Sequence, residues 1–164
     1  MKKRGFTLIE TMIAIGIMAV FIVTIYPSIF NTQEERKLEN EALDILTTMQ
    51  WARFQAAKTR LNHRVDFVYD TGSWTFSVEK EESPDEWTDI PGYVKKTISA
   101  EFKVNVSLPD HAVIFSPLGM LSNLSTSQSY ITLQSPLLKE QDQDDLRTIN
   151  VFAGGSIEYI RSRT

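Results

Sequence analysis

The most apolar stretch of the chain lies close to its start. Residues 6–30 are apolar or small and polar, with Glu10 as the single charged side chain. As an α-helix this run would be about 37 Å long, compared with about 30 Å for the hydrocarbon core of a bilayer. The preceding basic residues, Lys2, Lys3 and Arg4, predict that the N-terminus faces the cytoplasm. We therefore expect residues 6–30 to form a transmembrane helix, with the remaining chain outside the cytoplasm.

The next segment, residues 31–62, has the periodicity of an amphipathic helix. Pro27 predicts a kink or a local helix end. If the helix ends and restarts there, Thr32 with Glu35 would form a capping box. Apolar side chains then recur every three or four residues: Leu38, Ala42, Ile45, Leu46, Met49, Ala52 and Ala56. This stripe is expected to pack on a sheet.

Acidic side chains gather at the start of this second helical half. They are Glu34, Glu35, Glu39, Glu41 and Asp44. Such a group forms either a solvated helix face or a surface for a specific partner. The solvated face is the favoured interpretation.

From residue 63 onward the pattern alternates with a period of two, as in β-strands. Asp70-Thr71-Gly72-Ser73 is typical of a hairpin turn, and residues 79–92 read as a polar, acidic loop. Strands are expected at residues 64–69, 74–79, 101–106, 112–116, 130–133, 148–152 and 156–160. The predicted fold is α+β, with a long N-terminal helix packed on an antiparallel β-domain over residues 63–164.

Composition narrows the class of protein only a little. The 164 residues suffice for one modest domain and an anchor, and the formal net charge is −4. An acidic body argues against non-specific binding of nucleic acid over the whole surface. Cysteine is absent, which excludes disulfides, thiolate metal sites and a cysteine nucleophile.

The apolar run has two ordinary explanations, a secretory signal and a plain signal anchor. A secretory signal has a shorter apolar core followed by small residues at its cleavage site, and no A-x-A pattern follows this run. A plain anchor leaves Glu10 unexplained, because an acid in a membrane segment is costly and usually has a partner.

The residues from Gly5 to Glu10, read as GFTLIE, resemble the type III signal of type IV prepilins and type II secretion pseudopilins. The resemblance implies a leader, residues 1–5, that a prepilin peptidase removes by cutting between Gly5 and Phe6. It also implies N-methylation of Phe6. Glu10 would then pair with the N-terminal amine of a neighbouring subunit during assembly of the filament. Such pairing removes much of the energetic cost of a charge in lipid.

The C-terminal half resembles the general secretion pathway protein H and FimT family of minor pseudopilins. The resemblance rests on a strand and turn with Phe115, Pro117 and Gly119, and on a later strand pair joined through Gly154 and Gly155. It covers most of the chain, more weakly between residues 70 and 110. A pilin-like globular head over residues 31–164 is implied.

Candidate catalytic or metal-binding residues are few. His63 and His111 are interpreted as polar edge residues, and neither a nucleophile elbow nor a phosphate-binding loop is present. Asp142, Asp144 and Asp145 offer oxygen ligands for calcium, but the segment lacks the glycine and distal glutamate of an EF-hand loop. A solvated loop is the favoured interpretation. We therefore expect neither enzymatic activity, nor a cofactor, nor a metal site.

Arg161 and Arg163 near the C-terminus raise a second hypothesis, DNA binding. Some FimT-type pilins contact DNA through arginines in this region, often directly after the glycine of the last hairpin. Here Ser156 follows that glycine, and Glu158 lies close behind. Two arginines on a flexible tail would still meet phosphates, together with Lys95 and Lys96. The acidic body and the broken motif argue against DNA binding, and a solvated basic tail is the favoured interpretation.

The sequence thus predicts a minor pseudopilin or minor pilin in the bacterial inner membrane, with its head in the periplasm. Its expected partners are prepilin peptidase, other pilins or pseudopilins, and the inner-membrane assembly platform. A DNA-receptor pilin for natural transformation is the alternative, and an anchored periplasmic enzyme is a third class. Type II secretion and type IV pili are not distinguished by the sequence.

Overall fold

The computed structural model describes residues 7–123 and 129–164, without the side chains of residues 23–31. Its first element is a single long helix, α1, spanning Leu8–Thr59. At its end Arg60 adopts the left-handed conformation, with φ 60°, and its backbone N–H bonds the carbonyl of Ala56. The predicted helical segments before and after Pro27 are therefore one continuous element.

Of the two outcomes predicted at Pro27, the local helix end is wrong, because α1 continues through this residue, and the kink stays a prediction. A proline removes one backbone hydrogen bond, but the intact turns on both sides keep the helix continuous. Thr32 consequently lies inside the helix and is not its N-cap. The capping box forms instead at Thr7, whose hydroxyl accepts from the backbone N–H of Glu10 while its backbone N–H donates to the Glu10 carboxylate.

The membrane segment was predicted for residues 6–30. Among the residues that the structure describes, no helix is both long enough and apolar enough to cross a membrane. Phe6 and the side chains of residues 23–30 lie outside this described part.

In the part of the chain that the structure describes, nine strands follow the helix. They are β1 His63–Asp70, β2 Ser73–Ser83, β3 Glu86–Asp89, β4 Lys96–Thr97, β5 Lys103–Ser107, β6 Ala112–Phe115, β7 Tyr130–Gln134, β8 Leu146–Val151 and β9 Ile157–Ser162. A short helix, α2 Pro136–Glu140, lies between β7 and β8. Each of the seven predicted strands is present, with ends shifted by a few residues.

The strands form two antiparallel sheets. In the five-stranded sheet the order is β3-β2-β1-β6, with β4 paired to the other half of β2. In the four-stranded sheet the order is β5-β7-β8-β9. The predicted hairpin between β1 and β2 is confirmed: Asp70 pairs with Ser73, and Thr71 and Gly72 both have positive φ, as a type I′ turn requires.

The acidic segment 79–92 was predicted as a loop, and this prediction is wrong. β2 continues through Ser83 and pairs with β3, with Glu81 opposite Trp87. Basic side chains offset the acids here: Arg64 binds Glu79 at 2.6 Å and also lies over the ring of Trp87. Cross-strand contacts with β1 therefore keep a charged sequence extended.

The core lies between α1 and the two sheets. The predicted stripe is confirmed: Leu46 is half-buried, and its other six members are fully buried, namely Leu38, Ala42, Ile45, Met49, Ala52 and Ala56. Opposite them lie apolar side chains of both sheets, among them Phe76, Phe115, Ile131 and Ile149. Helix α1 thus packs against both sheets of the head.

Candidate functional site

The N-terminal end of α1 holds the residues of the prepilin-like signal. Gly5 and Phe6, the expected cleavage site, lie outside the residues that the structure describes. Glu10 lies in the first helical turn, and its carboxylate also contacts the Thr7 hydroxyl at 3.4 Å. The apolar side chains of the following turns are exposed, from Leu8 to Ile22. This end of the helix therefore presents one acid and an uncovered apolar surface.

The acidic residues at the middle of α1 contact the head, so the favoured interpretation as a solvated face is wrong. Glu34 accepts a hydrogen bond from the Ser135 hydroxyl at 2.8 Å, and its side chain is only 12% exposed. Glu41 accepts from the backbone N–H of Ser99, and Asp44 pairs with Lys96 at 3.0 Å. These carboxylates hold the head onto the helix.

Glu39 takes part in a buried contact that the sequence analysis missed. Arg147 of β8 is 0% exposed, and its Nε lies 2.9 Å from Glu39 Oε2. The Tyr159 hydroxyl of β9 donates to the same oxygen. Burial opposes ionisation of Glu39, but the hydrogen bonds from Tyr159 and Arg147 outweigh it, and the pKa of Glu39 lies below its ordinary value. Burial and the bond to this carboxylate raise the pKa of Tyr159.

A sequence signal for this contact exists. Arg147, Ile149 and Val151 share one phase of β8, and all three are buried. A charged residue in the inward phase of a strand indicates a buried ion pair, because an unpaired charge would be too costly there. The residue that pairs with it cannot be identified from the strand alone.

Arg161 and Arg163, the candidate DNA-binding residues, are held by carboxylates. Arg161 lies 2.6 Å from Glu35 and 2.9 Å from Asp144, and Arg163 lies 3.0 Å from Asp142. The expected flexible tail is instead largely part of β9, which includes Arg161 and ends at Ser162. DNA binding through these arginines stays a prediction, and phosphates would have to compete with the carboxylates.

The carboxylates considered for calcium face the C-terminal residues of the chain. Asp145 is buried and accepts hydrogen bonds from the backbone and hydroxyl of Thr164 and from Gln134. Burial opposes its ionisation, but these bonds prevail and lower the pKa of Asp145. Within residues 7–123 and 129–164, no group of three or more acidic or histidine side chains is arranged to hold a metal ion.

The two histidines occupy different surroundings. His63 begins β1 and is only 2% exposed, so its interpretation as an edge residue is wrong. Its Nδ1 lies 3.1 Å from the carbonyl of Leu61, and burial lowers the pKa of the imidazole. His111 is exposed and packs edge-on against Trp74.

The glycines of the C-terminal motifs meet in space. The turn after β6, with Pro117 and Gly119, lies against the β8–β9 turn, and Leu121 donates its backbone N–H to Ala153. A Cβ on Gly155 would lie 1.8 Å from the Gly119 carbonyl oxygen, with Arg53 of α1 beside it. Only glycine therefore permits this close approach of the two turns.

Two comparisons with known proteins bear on the N-terminal signal and on the fold of the head. Residues 1–26 match the family model of the prokaryotic N-terminal methylation motif. This motif is the signal expected from Gly5 to Glu10 and the apolar run behind it. No curated protein sequence matches the chain.

A solved structure has the same fold. The minor pseudopilin EpsH from the Type 2 Secretion System of Vibrio cholerae superposes with a TM-score of 0.58, at 10% sequence identity. The match covers 76% of this chain and 97% of EpsH. The chain thus carries a prepilin methylation motif and has the α+β fold of a minor pseudopilin, as the family resemblance implied.

Proposed function

We propose that this protein is a minor pseudopilin or minor pilin, a structural subunit of a type II secretion pseudopilus or a type IV pilus. It is made with a leader, residues 1–5, which prepilin peptidase removes before Phe6 is methylated. One observation carries the proposal: the methylation motif over residues 1–26 precedes a head with the fold of a minor pseudopilin.

The form of α1 supports this proposal. The helix runs from Leu8 through the expected anchor and ends at Thr59 within the head. Its N-terminal turns expose apolar side chains, whereas one face of its C-terminal half is buried under two sheets. A helix with one uncovered apolar end and one buried end fits a subunit that packs by its N-terminus into lipid or among other helices.

Membrane anchoring is part of the proposal and rests on the sequence. Residues 6–30 contain one charge, and three basic residues precede them. The head would then lie in the periplasm, where the filament assembles on the inner-membrane platform.

Glu10 is proposed as the assembly residue. It is the single acid among residues 6–30, and its carboxylate is exposed beside Thr7. The N-terminal amine that cleavage would create at Phe6 of a neighbouring subunit is a suitable cation for it. An ion pair in an apolar environment forms strongly, since water does not compete for either charge.

Mass spectrometry of the protein from membranes of its native host tests the processing. We expect a mature chain that begins at Phe6 and is heavier than the bare sequence by one methyl group. Detection of an intact leader, Met1 to Gly5, on all of the membrane protein would contradict the proposed function.

Glu10→Gln tests assembly separately from processing. The variant is expected to lose its leader normally but to be recovered with the filament at one tenth or less of the unsubstituted level, because about 1.4 kcal/mol changes an equilibrium tenfold. Glu140→Gln, an exposed acid on α2, is the matched control and should assemble normally. Equal recovery of the two variants would exclude Glu10 from assembly.

A further inference from the structure

The edges of the two sheets differ in how they are protected. The β6 edge is closed, because Ser122 donates its backbone N–H to Ile114 and the Asn123 side chain bonds Ile114 and Ala112. The β3 edge is four residues long, begins and ends with acids, and lies beside a register shift in β2. Short, charged or capped edges of this kind resist pairing with other chains.

The four-stranded sheet has edges at β5 and β9, and β9 is the longer of the two. β9 carries two charges, Glu158 and Arg161, but among the described residues no side chain caps it and no register shift lies beside it. β9 is six residues long, contains no proline, and has β8 as its sole strand partner in the described part of the chain. Phe152 donates its backbone N–H to Ser156, which sets the register of the hairpin. Because bonded pairs alternate in an antiparallel ladder, the N–H and C=O groups of Ile157, Tyr159 and Arg161 point away from β8.

We propose that this edge of β9 binds an extended segment of a different protein, which adds a strand to the four-stranded sheet. The three outward N–H groups and three outward carbonyls can form hydrogen bonds with the backbone of another extended segment. The proposal rests on the proposed function, because that function supplies neighbouring subunits at high local concentration.

A second copy of this chain is not the expected occupant. Antiparallel pairing of β9 with β9 would place a two-fold axis perpendicular to the sheet. Since α1 packs flat against the sheet, this axis would reverse the direction of the second helix. Two subunits anchored in one membrane by their N-terminal helices cannot adopt that arrangement.

The side chains of β9 indicate the chemistry of the incoming strand. Glu158, Ile160 and Ser162 form the phase of β9 that lies away from α1, and Glu158 is exposed. Side chains directly opposite one another on paired strands interact, and opposite charges are favourable. The occupant is therefore expected to place a basic residue opposite Glu158 and an apolar residue opposite Ile160.

Amide hydrogen exchange at single-residue resolution tests the pairing. The full chain would be measured in isolated filaments and as free subunits in detergent micelles. The amides of Ile157, Tyr159 and Arg161 are expected to exchange at least tenfold more slowly in filaments. Those of Glu158 and Ile160, already bonded to β8, should change little. Equal exchange of the outward amides in both samples would overturn the proposal.

Matched substitutions at this edge provide a second test, in which the recovery of each variant with filaments is measured. Ile157→Pro removes one outward donor and leaves the bonds to β8 intact. Ile160→Lys and Val68→Lys form a pair with nearly equal exposure, 39% and 40%. Ile160 lies on β9, and Val68 lies in the other sheet, on β1, opposite Thr75 of β2. We expect the β9 variants to be recovered with filaments at a level about tenfold lower than Val68→Lys. Equal recovery would contradict strand addition even if Ile157→Pro failed to fold.

The chain lacks cysteine, so introduced thiols report on the occupant without background. Glu158→Cys combined with Ile160→Cys would form a disulfide-linked dimer only if two copies paired through β9, and that result would overturn the proposal. The filament sample also distinguishes the proposed function as a filament subunit from strand addition at β9. Absence of the chain from filaments would contradict both, whereas a filament subunit with unprotected outward amides would contradict strand addition alone.

Discussion

The five-stranded and four-stranded sheets pack on the same helix, but their inward faces differ in chemistry. Apart from His63 at its start, the five-stranded sheet buries apolar side chains: Val65, Phe67, Phe76, Val78, Val113 and Phe115. The four-stranded sheet buries Ile131, Leu133, Ile149 and Val151 together with the charged Arg147. The contact of α1 with the five-stranded sheet depends mainly on apolar area and shape, and its one ion pair among the described residues, between Lys96 and Asp44, is exposed. The contact with the four-stranded sheet depends also on a buried charge.

The charged contact is the more specific one. Apolar packing tolerates small shifts, whereas the arginine of β8 must meet one carboxylate on α1 to avoid a buried unpaired charge. Ser135, Tyr159 and Arg161 add three further bonds from the four-stranded sheet region to the same acidic part of the helix. The comparison predicts that the two sheets respond differently to substitution, pH and salt.

The largest effect is expected where the turns of the two sheets meet. Gly155→Ala would force a Cβ into the Gly119 carbonyl at a residue with φ +76°, and we expect a loss of about 4 kcal/mol or more in the free energy of unfolding. Gly72→Ala is the control, since Gly72 also has positive φ but no atom within 4 Å of the added Cβ. It should lose about 1–2 kcal/mol. Urea denaturation of both variants measures the difference, and equal losses would contradict the close approach.

Breaking the buried ion pair should be nearly as severe. Glu39→Ala leaves Arg147 buried without its carboxylate, and we expect a loss of about 3–5 kcal/mol in the free energy of unfolding. Replacing both residues, as Glu39→Leu with Arg147→Met, should recover most of that loss, because Nη2 of Arg147 has no hydrogen-bond partner among the described residues. If the double variant is as unstable as Glu39→Ala, the ion pair itself stabilises the fold, beyond preventing a buried unpaired charge.

The pH dependence of stability should also distinguish the charged contact. The pKa of Glu39 is lowered in the folded protein, so its ionised form stabilises the fold above the ordinary carboxyl pKa. This contribution is lost as the pH falls below about 4. The stability difference between the unsubstituted chain and Glu39→Gln should therefore shrink on acidification. A difference that is constant from neutral pH to about pH 3 would show that Glu39 acts through packing alone.

The smallest effect is expected at the exposed end of the charged contact. Arg161→Ala removes two ion pairs at a side chain that is 45% exposed, and we expect a loss of at most about 1 kcal/mol that diminishes at high salt. Arg36→Ala, on an exposed part of the same helix, is the matched control and should change stability less. Thermal unfolding at low and high salt provides the measurement. Equal shifts of the unfolding temperature for both variants would show that Arg161 does not stabilise the helix–sheet contact.

Local sequence patterns predicted the elements of the fold well. The helical stripe from Leu38 to Ala56 and the alternation of the strands both report which face of an element is buried, and burial is a local requirement of each element. The turn at Thr71 and Gly72 was predictable for a similar reason, since few residues accept positive φ. The local helix end expected at Pro27 does not occur, because a proline costs one hydrogen bond that a long helix absorbs.

The contacts that build the site were beyond the reach of such patterns. Arg147 and Glu39 are 108 residues apart in the chain. The phase of β8 marks Arg147 as inward-facing, but nothing in the sequence identifies Glu39 as its partner. The same holds for Arg161, which the sequence placed in a flexible tail and the structure places between Glu35 and Asp144. Ion pairs depend on distance in space, which the order of residues does not specify.

The sequence by itself determined the prepilin-like signal, the apolar N-terminal segment, the α+β class and most strand positions. These follow from residue type and spacing over short stretches. The tertiary structure alone decided that the acids of α1 hold the head, that the glycine turns meet over Arg53, and that β9 is left as a sheet edge. Those features arise from strand order and packing, which bring together residues from distant parts of the chain.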